Sequence, residues 1–173
     1  MSTEWQRSCV LNAFKDELER LHHAGLNADG SLCLLCSYED DYVVADTTSG
    51  ETIWSDPYAT NEAGLPTLDE WIQNGYVELK HGRATARFRI FGLFENYPLH
   101  QCARLRQELE IDVPASILNI KDSSSGRIIQ TLPFEAFSGD WAFASFSDDY
   151  STVAVLEPYY VTLFRRNEPL SSE

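Results

Sequence analysis

The chain has 173 residues, of which 43% are apolar and 12% aromatic, and its formal net charge is −14. A chain of this length is expected to form one domain that buries roughly 70% of its unfolded surface, and the apolar content excludes a disordered chain despite the charge. The apolar runs are only a few residues long, so no segment is expected to span a bilayer.

The first residues predict a helix. Thr3 and Gln6 stand three positions apart, as in a capping box. Apolar residues then recur at steps of three, four and three, the spacing of one helix face, at Leu11, Phe14, Leu18 and Leu21. Gly25 would end this helix, and His22 and His23 fall in its last turn, where the helix dipole favours a protonated imidazole. A catalytic or metal role is the less favoured alternative for the two histidines.

A hairpin is predicted next. Residues 32–38 and 42–46 are apolar and flank three consecutive carboxylates, a sequence typical of two strands joined by a turn. Residues 51–54 add a third strand after a turn rich in threonine, serine and glycine.

Two further helices are predicted. A capping pattern followed by apolar residues indicates a short helix over residues 67–75. A second helix is expected over residues 98–110, where an early proline precedes three apolar residues that would share a face, Cys102, Leu105 and Leu109.

The remaining segments predict strands. In residues 84–91 apolar and polar side chains alternate, so Arg87 and Arg89 are expected on the outer face and Phe88 and Ile90 on the inner face. Other strands are expected at residues 76–80, 116–121, 127–132, 140–147 and 150–165, the last broken at Pro158.

Together these elements predict a single α+β domain over residues 1–166, mostly antiparallel β-sheet with an N-terminal helix and one or two further helices packed on one face. Residues 167–173 are expected to form a flexible tail. The expected core comprises Phe14, Leu18, Leu35, Trp71, Phe88, Ile90, Leu105, Ile117, Ile128, Trp141, Phe143 and Val155.

Charge is sorted along the chain. Residues 22–79, the acidic segment, contain eleven carboxylates and neither lysine nor arginine. Residues 80–106 then carry six of the thirteen basic residues and a single acid, Glu95. A surface field of one sign attracts partners of the opposite sign and repels polyanions, so the segregation predicts a basic partner and disfavours direct binding to nucleic acid.

Metal and cofactor sites are not expected. Cys33 and Cys36 form a C-x-x-C motif, but within a strand two residues three positions apart point to opposite faces. His100 and Cys102, which could complete a zinc site, do not share a helix face. The acidic runs could hold a divalent cation only if separate hairpins converged, and they do not match a calcium loop.

An internal similarity joins residues 37–42 and 145–150, which share the pattern Ser-aromatic-x-Asp-Asp-Tyr. A duplicated half-domain is one explanation. Ordinary turn chemistry between strands is the favoured one.

The favoured function is a non-enzymatic acidic protein that captures or inhibits a basic protein, as immunity proteins, antitoxins, defence inhibitors and nucleic-acid mimics do. Carboxylates would steer the partner, and neighbouring aromatic side chains would supply contact area. The predicted partner-binding residues are Glu39, Asp40, Asp41, Tyr42, Asp46, Glu51, Trp54, Asp56 and Tyr58. Arg83, Arg87 and Arg89 are expected to contact an anion, the protein's own acidic surface or a second copy in a homodimer.

Two other classes of function stay open. A small enzyme could place carboxylate hairpins and the arginine strand on opposite walls of a pocket for a phosphate or another small molecule, although neither a nucleophile elbow nor a Walker loop is present. The chain could also be an ordinary acidic domain or a secretion chaperone. The N-terminus lacks the pattern of a signal peptide, and four cysteines are few for a secreted domain, so a cytoplasmic location is expected.

Overall fold

β-Strands form the regular structure of the chain. The computed structural model describes residues 4–13, 18–37, 41–56, 75–81, 84–93 and 98–168. These residues form fourteen strands in three antiparallel sheets, and no α-helix occurs among them. The prediction of an α+β fold is therefore wrong, whereas the expected predominance of antiparallel sheet is confirmed.

Sheet B has six strands in the order β5-β4-β3-β2-β7-β6. Its strands are β2 (Leu21–Asn27), β3 (Leu32–Ser37), β4 (Tyr42–Asp46), β5 (Thr52–Asp56), β6 (Tyr76–His81) and β7 (Ala84–Gly92). Strands β2 to β5 form a meander in which each strand pairs with the next. The β6–β7 hairpin is added through pairing of β7 with β2.

Sheet C is a second four-stranded meander, in the order β11-β10-β9-β8. Its strands are β8 (Gln101–Cys102), β9 (Gln107–Asp112), β10 (Ile117–Asp122) and β11 (Ile128–Pro133). Sheet C and the β2–β5 part of sheet B thus share the same connection of four consecutive antiparallel strands.

Sheet A joins the two ends of the described chain. Strands β12 (Phe143–Phe146), β13 (Thr152–Leu156) and β14 (Tyr160–Arg166) form a meander, and β1 (Trp5–Asn12) adds the fourth strand by pairing with β14. The β1–β14 ladder runs from Trp5 opposite Arg166 to Asn12 opposite Tyr160.

Sheet A packs against both other sheets. One face of β13 contributes Ala154 and Leu156 to a core shared with sheet B, and the alternate residues Val153 and Val155 enter a core shared with sheet C. A third core, which includes Phe88, covers the opposite face of sheet B. The period of two along β13 is the expected pattern of a strand buried on both faces.

The predicted N-terminal helix is wrong. Leu11 lies in β1, Leu18 in the connection and Leu21 in β2, and all three enter the core between sheets A and B. Their helix-like spacing thus arises because two consecutive strands and their connection bury these residues in the same core. Gly25 does not end a helix but lies within β2, where a Cβ atom would stand 2.8 Å from Cδ1 of Ile90, so glycine permits close approach of β7.

The predicted helix over residues 98–110 is also wrong. This segment forms β8, a turn and β9, and Arg106 in the turn adopts a φ of 53°. Cys102 and Leu109 are buried in the core between sheets A and C, with Leu105 packed against it, so pairing with β10 and burial override the helical spacing. The expected helix over residues 67–75 lies outside the described residues except for Gly75.

The expected core is largely confirmed. Leu18, Leu35, Phe88, Ile90 and Val155 are buried, and four further predicted residues are half-buried, namely Leu105, Ile117, Trp141 and Phe143. Phe14 and Trp71 lie outside the described residues.

Ile128 was expected in the core, but it is 55% exposed. It begins the edge strand β11 beside a register shift that also leaves Ile129 exposed. Such a bulge interrupts the alternation of inward and outward side chains.

In the part of the chain that the structure describes, no helix is both long and apolar enough to cross a bilayer.

Gly30 should be far less tolerant of substitution than Gly126. Both adopt a left-handed backbone, with φ of 66° and 70°. A Cβ atom at Gly30 would lie 2.5 Å from Cβ of Thr152, whereas nothing lies within 4 Å of one at Gly126. Gly30→Ala should therefore cost about 1–3 kcal/mol more than Gly126→Ala, measured by chemical denaturation. Equal losses of unfolding free energy in the two variants would show that Thr152, at the start of β13, does not pack against residue 30.

Candidate functional site: the acidic hairpin ends

Hairpins of sheets A and B meet at one end of the molecule. The backbone NH of Asp149, between β12 and β13, donates to Ala28 O at 3.0 Å, between β2 and β3. Thr47, after β4, donates through its backbone NH to Ser31 O at 3.0 Å and through its hydroxyl to Gly30 O at 2.6 Å. The turns at residues 28–31, 46–50 and 147–151 thus form one surface, and its carboxylates, called here the acidic hairpin ends, are Asp29, Asp46, Glu51, Asp148 and Asp149.

The β2–β3 and β12–β13 turns have the same internal geometry. Asp29 Oδ1 accepts hydrogen bonds from Ser31 NH at 3.0 Å and Ser31 Oγ at 2.6 Å. Asp149 Oδ1 accepts the same pair from Ser151, at 2.9 and 2.7 Å. The residue after each aspartate is left-handed, Gly30 with φ 66° and Tyr150 with φ 59°.

The true equivalence between sheets therefore pairs residues 29–31 with 149–151. The similarity noted between residues 37–42 and 145–150 joins positions that are not equivalent. Residues 147–151 connect the first two strands of the sheet A meander, whereas Ser37 and Tyr42 flank the second connection of the sheet B meander. The favoured explanation, ordinary turn chemistry, agrees with this geometry.

A second type of turn recurs at the β4–β5 and β10–β11 hairpins. Asp46 Oδ1 accepts from the NH groups of Thr48 and Ser49, both at 2.8 Å. Asp122 Oδ1 accepts from two NH groups in the same way, and each turn closes on a left-handed glycine. These hydrogen bonds lower the pKa of Asp46, and those from Ser31 lower the pKa of Asp29. The two carboxylates are therefore ionised and fixed in direction.

The predicted partner-binding residues separate into two groups. Asp46 and Glu51 flank the β4–β5 turn among the acidic hairpin ends. Asp41 lies at the opposite end of β4, and Tyr42 pairs with Asp56 there. The five-residue strand β4 runs between the two groups, so its end residues Tyr42 and Asp46 lie roughly 13 Å apart.

The remaining predicted residues contribute less. Tyr42 is only 9% exposed, so it offers little contact area to a partner. Trp54 lies mid-strand in β5, opposite Val44, and the structure describes only the backbone of Trp54 and Asp56. Glu39, Asp40 and Tyr58 lie outside the described residues.

Sequence reasoning missed Asp29, Asp148 and Asp149 as members of this surface. The local signal is an aspartate followed two positions later by a serine, with a left-handed residue between them. This pattern identifies the turns but not their convergence, which depends on the packing of sheet A against sheet B.

The predicted arginines contact their own chain. Arg89 Nε lies 2.7 Å from Asp148 Oδ1, and its Nη2 donates to the hydroxyl of Tyr76 at 2.5 Å. The Arg87 guanidinium lies 3.8 Å from the centroid of the same Tyr76 ring. This network links sheet B to the β12–β13 turn. Arg83 lies outside the described residues.

Other ion pairs take their carboxylates from the C-terminal half. Arg7 pairs with Glu135 at 2.9 Å and Arg20 with Asp140 at 2.9 Å. In sheet C, Lys121 pairs with Glu110 at 2.7 Å. These contacts keep basic side chains away from the acidic segment.

Arg89, Arg165 and Arg166 are described arginines near the acidic hairpin ends. Arg89 pairs with Asp148 at 2.7 Å, and Arg165 Nη1 donates to Thr48 Oγ1 at 2.9 Å. The charge of Arg165 contributes to the low pKa of Asp29 and Asp46, and Asp149 acts on Arg166 through its charge. These three arginines beside five carboxylates leave this end of the molecule with an excess of negative charge.

Cys33 and Cys36 lie on opposite faces of β3, as predicted. Cys33 enters the core between sheets A and B, and Cys36 enters the core on the other face of sheet B. Burial raises the pKa of Cys33, so its thiol is neutral. Among the described residues no three histidine, cysteine or acidic side chains are grouped as metal ligands would be.

His22 and His23 are placed in β2 rather than in a helix, and both are buried. Their Nδ1 atoms share a hydrogen bond, so one imidazole donates and the other accepts when both are neutral. Burial, with a smaller contribution from His22, lowers the pKa of His23 to about 3. His23 is therefore neutral, and the two rings form an internally bonded part of the core.

Known proteins offer little comparison. No family model matches the chain, and no curated protein matches it. A solved structure described as "Crystal structure of the eukaryotic initiation factor" is 15% identical, with a TM-score of 0.29 and coverage of 97% of this chain and 52% of that chain. This chain thus spans about half the length of that one. A TM-score this low does not show a shared fold.

Proposed function

We propose that this chain is a non-enzymatic binding domain that captures a basic protein through the acidic hairpin ends. The observation that carries the proposal is the fixed, ionised state of Asp29 and Asp46 on a surface where five carboxylates outnumber the described arginines near them. Carboxylates held by backbone NH groups are already oriented, so a partner's lysine or arginine meets them without further ordering.

The physical role of this surface is electrostatic steering. A concentration of one charge sign accelerates encounter with an oppositely charged partner and disfavours nucleic acid. At about 4 Å a charge pair contributes ~1 kcal/mol in bulk water and more where an interface excludes solvent. Immunity proteins, antitoxins, inhibitors of defence systems and nucleic-acid mimics all use this chemistry, and a cytoplasmic location suits each of them.

Capture from a lysate of the encoding organism tests the proposal. We expect a basic protein to be retained at low salt and released as salt rises, because exposed charges are screened within about 10 Å at 0.1 M ionic strength. A variant with Asp29→Asn, Asp46→Asn and Glu51→Gln should retain less of it. Because the amides keep the side-chain oxygen that accepts the turn hydrogen bonds, weaker retention of the partner would result from the removed charge.

The matched control removes the same amount of charge elsewhere. Glu108→Gln, Asp112→Asn and Glu168→Gln change three carboxylates outside the acidic hairpin ends. Equal retention by the two triple variants would contradict the proposal and leave overall charge as the cause.

A further inference from the structure

Arg166 is a buried cation without a hydrogen-bond partner at two of its donors. It ends β14, pairs with Trp5 of β1 and is 9% exposed. Its Nε and Nη2 atoms are buried and make no hydrogen bond. Arginine stays protonated in proteins, and an uncompensated buried charge is costly, so these donors call for an acceptor.

The described groups around Arg166 do not provide one. Its guanidinium carbon lies 5.9 Å from the Trp5 ring centroid. Burial raises the pKa of Cys102, so that thiol is neutral. Asp149 acts on Arg166 through its charge, but its Oδ1 is bonded to Ser147 and Ser151 within its own turn.

The two donors have the geometry of an oxyanion site. Nε and Nη2 lie on one edge of the planar guanidinium, where they match two oxygens of a single carboxylate or phosphate group. Arg104, in the turn between β8 and β9, adds a second positive charge that acts on Arg166.

We propose that Arg166, with Arg104 beside it, binds a small oxyanion that presents two oxygens to the Nε–Nη2 edge, at the junction of sheets A and C. This site adjoins the 147–151 turn of the acidic hairpin ends, where the backbone NH of Arg166 donates to Ser151 O at 3.2 Å, and an oxyanion-binding role goes beyond the proposed function. The donors are closed to solvent, so the ligand enters when the β8–β9 turn opens. β8 is a two-residue edge strand, and such elements open locally at low cost.

Inorganic phosphate and acetate are the probes, each compared with sodium chloride at equal ionic strength. Phosphate at a hundredfold excess over its dissociation constant should raise the melting temperature by about 5 °C or more. In ¹⁵N-correlated NMR spectra of the wild-type protein the Arg166 Nε–H signal should shift with the same titration midpoint. A response to acetate alone identifies a carboxylate ligand, and a response to phosphate alone identifies a phosphate ligand.

Arg165→Lys is the matched control for Arg166→Lys. Arg165 neighbours Arg166 on the same strand but donates to Thr48, so its replacement should preserve the response that Arg166→Lys abolishes. The wild-type NMR titration decides the matter even if Arg166→Lys fails to fold. Unchanged Nε–H signals with both anions would overturn the proposal. A second result would also overturn the proposal: Asp149→Asn lowers stability as much as Arg166→Lys does, and the wild-type protein does not respond to either anion. Asp149 would then be the counter-ion of Arg166.

Discussion

Replacing Phe88 with alanine is expected to lower the free energy of unfolding by about 3–5 kcal/mol. Phe88 is fully buried in β7, opposite Val77 of β6 and within the core that covers the outer face of sheet B. Truncation removes the ring and leaves a cavity that neighbouring β-strands cannot collapse to fill. Urea or guanidinium denaturation measures the loss.

The adjacent residue provides the control. Arg87 is exposed on the other face of β7, and its guanidinium lies over the Tyr76 ring. Arg87→Ala should therefore cost no more than about 1 kcal/mol, the contribution of an exposed cation–π contact. Similar losses in the two variants would show that the faces of β7 are assigned incorrectly.

Acidification from pH 6.5 is expected to destabilise the fold through His23. The pKa of His23 falls from 6.5 to about 3 in the folded chain, so the unfolded chain binds a proton more readily between these values. The contribution of neutral His23 is complete above pH 6.5 and is lost as the pH falls toward 3. The difference between 6.5 and 3 is about 3.5 pKa units, which corresponds to about 5 kcal/mol at 1.36 kcal/mol per unit.

The diagnostic window lies between pH 6.5 and 5, above the range in which carboxylates protonate. There the free energy of unfolding should fall by about 2 kcal/mol. His23→Asn should flatten this dependence even if the variant is less stable at neutral pH. His100→Asn, which changes an exposed imidazole, should leave the wild-type slope. A flat wild-type profile would show that His23 is not held in its neutral form in the core.

Local patterning identified some of the strands, but it assigned the segments of β1, β2, β8 and β9 to helices and did not specify which strands pair. The alternation in β7 and the apolar stretches of β3 and β4 were read correctly, because the period of two is set by the strand itself. The helix-like spacing of Leu11, Leu18 and Leu21 was misleading, because β1, the connection and β2 all bury a residue in the core between sheets A and B. The pairing of β1 with β14 joins residues 148 to 161 positions apart, and no local pattern in β1 specifies that pairing.

The residues of the candidate site were likewise predicted only in part from the sequence. Asp46 and Glu51 were predicted from charge alone, and the structure places them on one turn. Asp41 was expected beside them, but β4 separates it from Asp46 by its whole length. Asp149 comes from the far end of the sequence and joins Asp29 only because its backbone NH bonds Ala28 O.

The dependence of the association rate on salt is the most direct test of capture through the acidic hairpin ends. Stopped-flow or surface measurements with the retained basic protein should give a rate that falls steeply with ionic strength for the wild type. The Asp29→Asn, Asp46→Asn, Glu51→Gln variant should associate more slowly and with a flatter dependence, while the Glu108→Gln, Asp112→Asn, Glu168→Gln variant stays close to the wild type. An unchanged rate and salt dependence in the first variant would contradict the account.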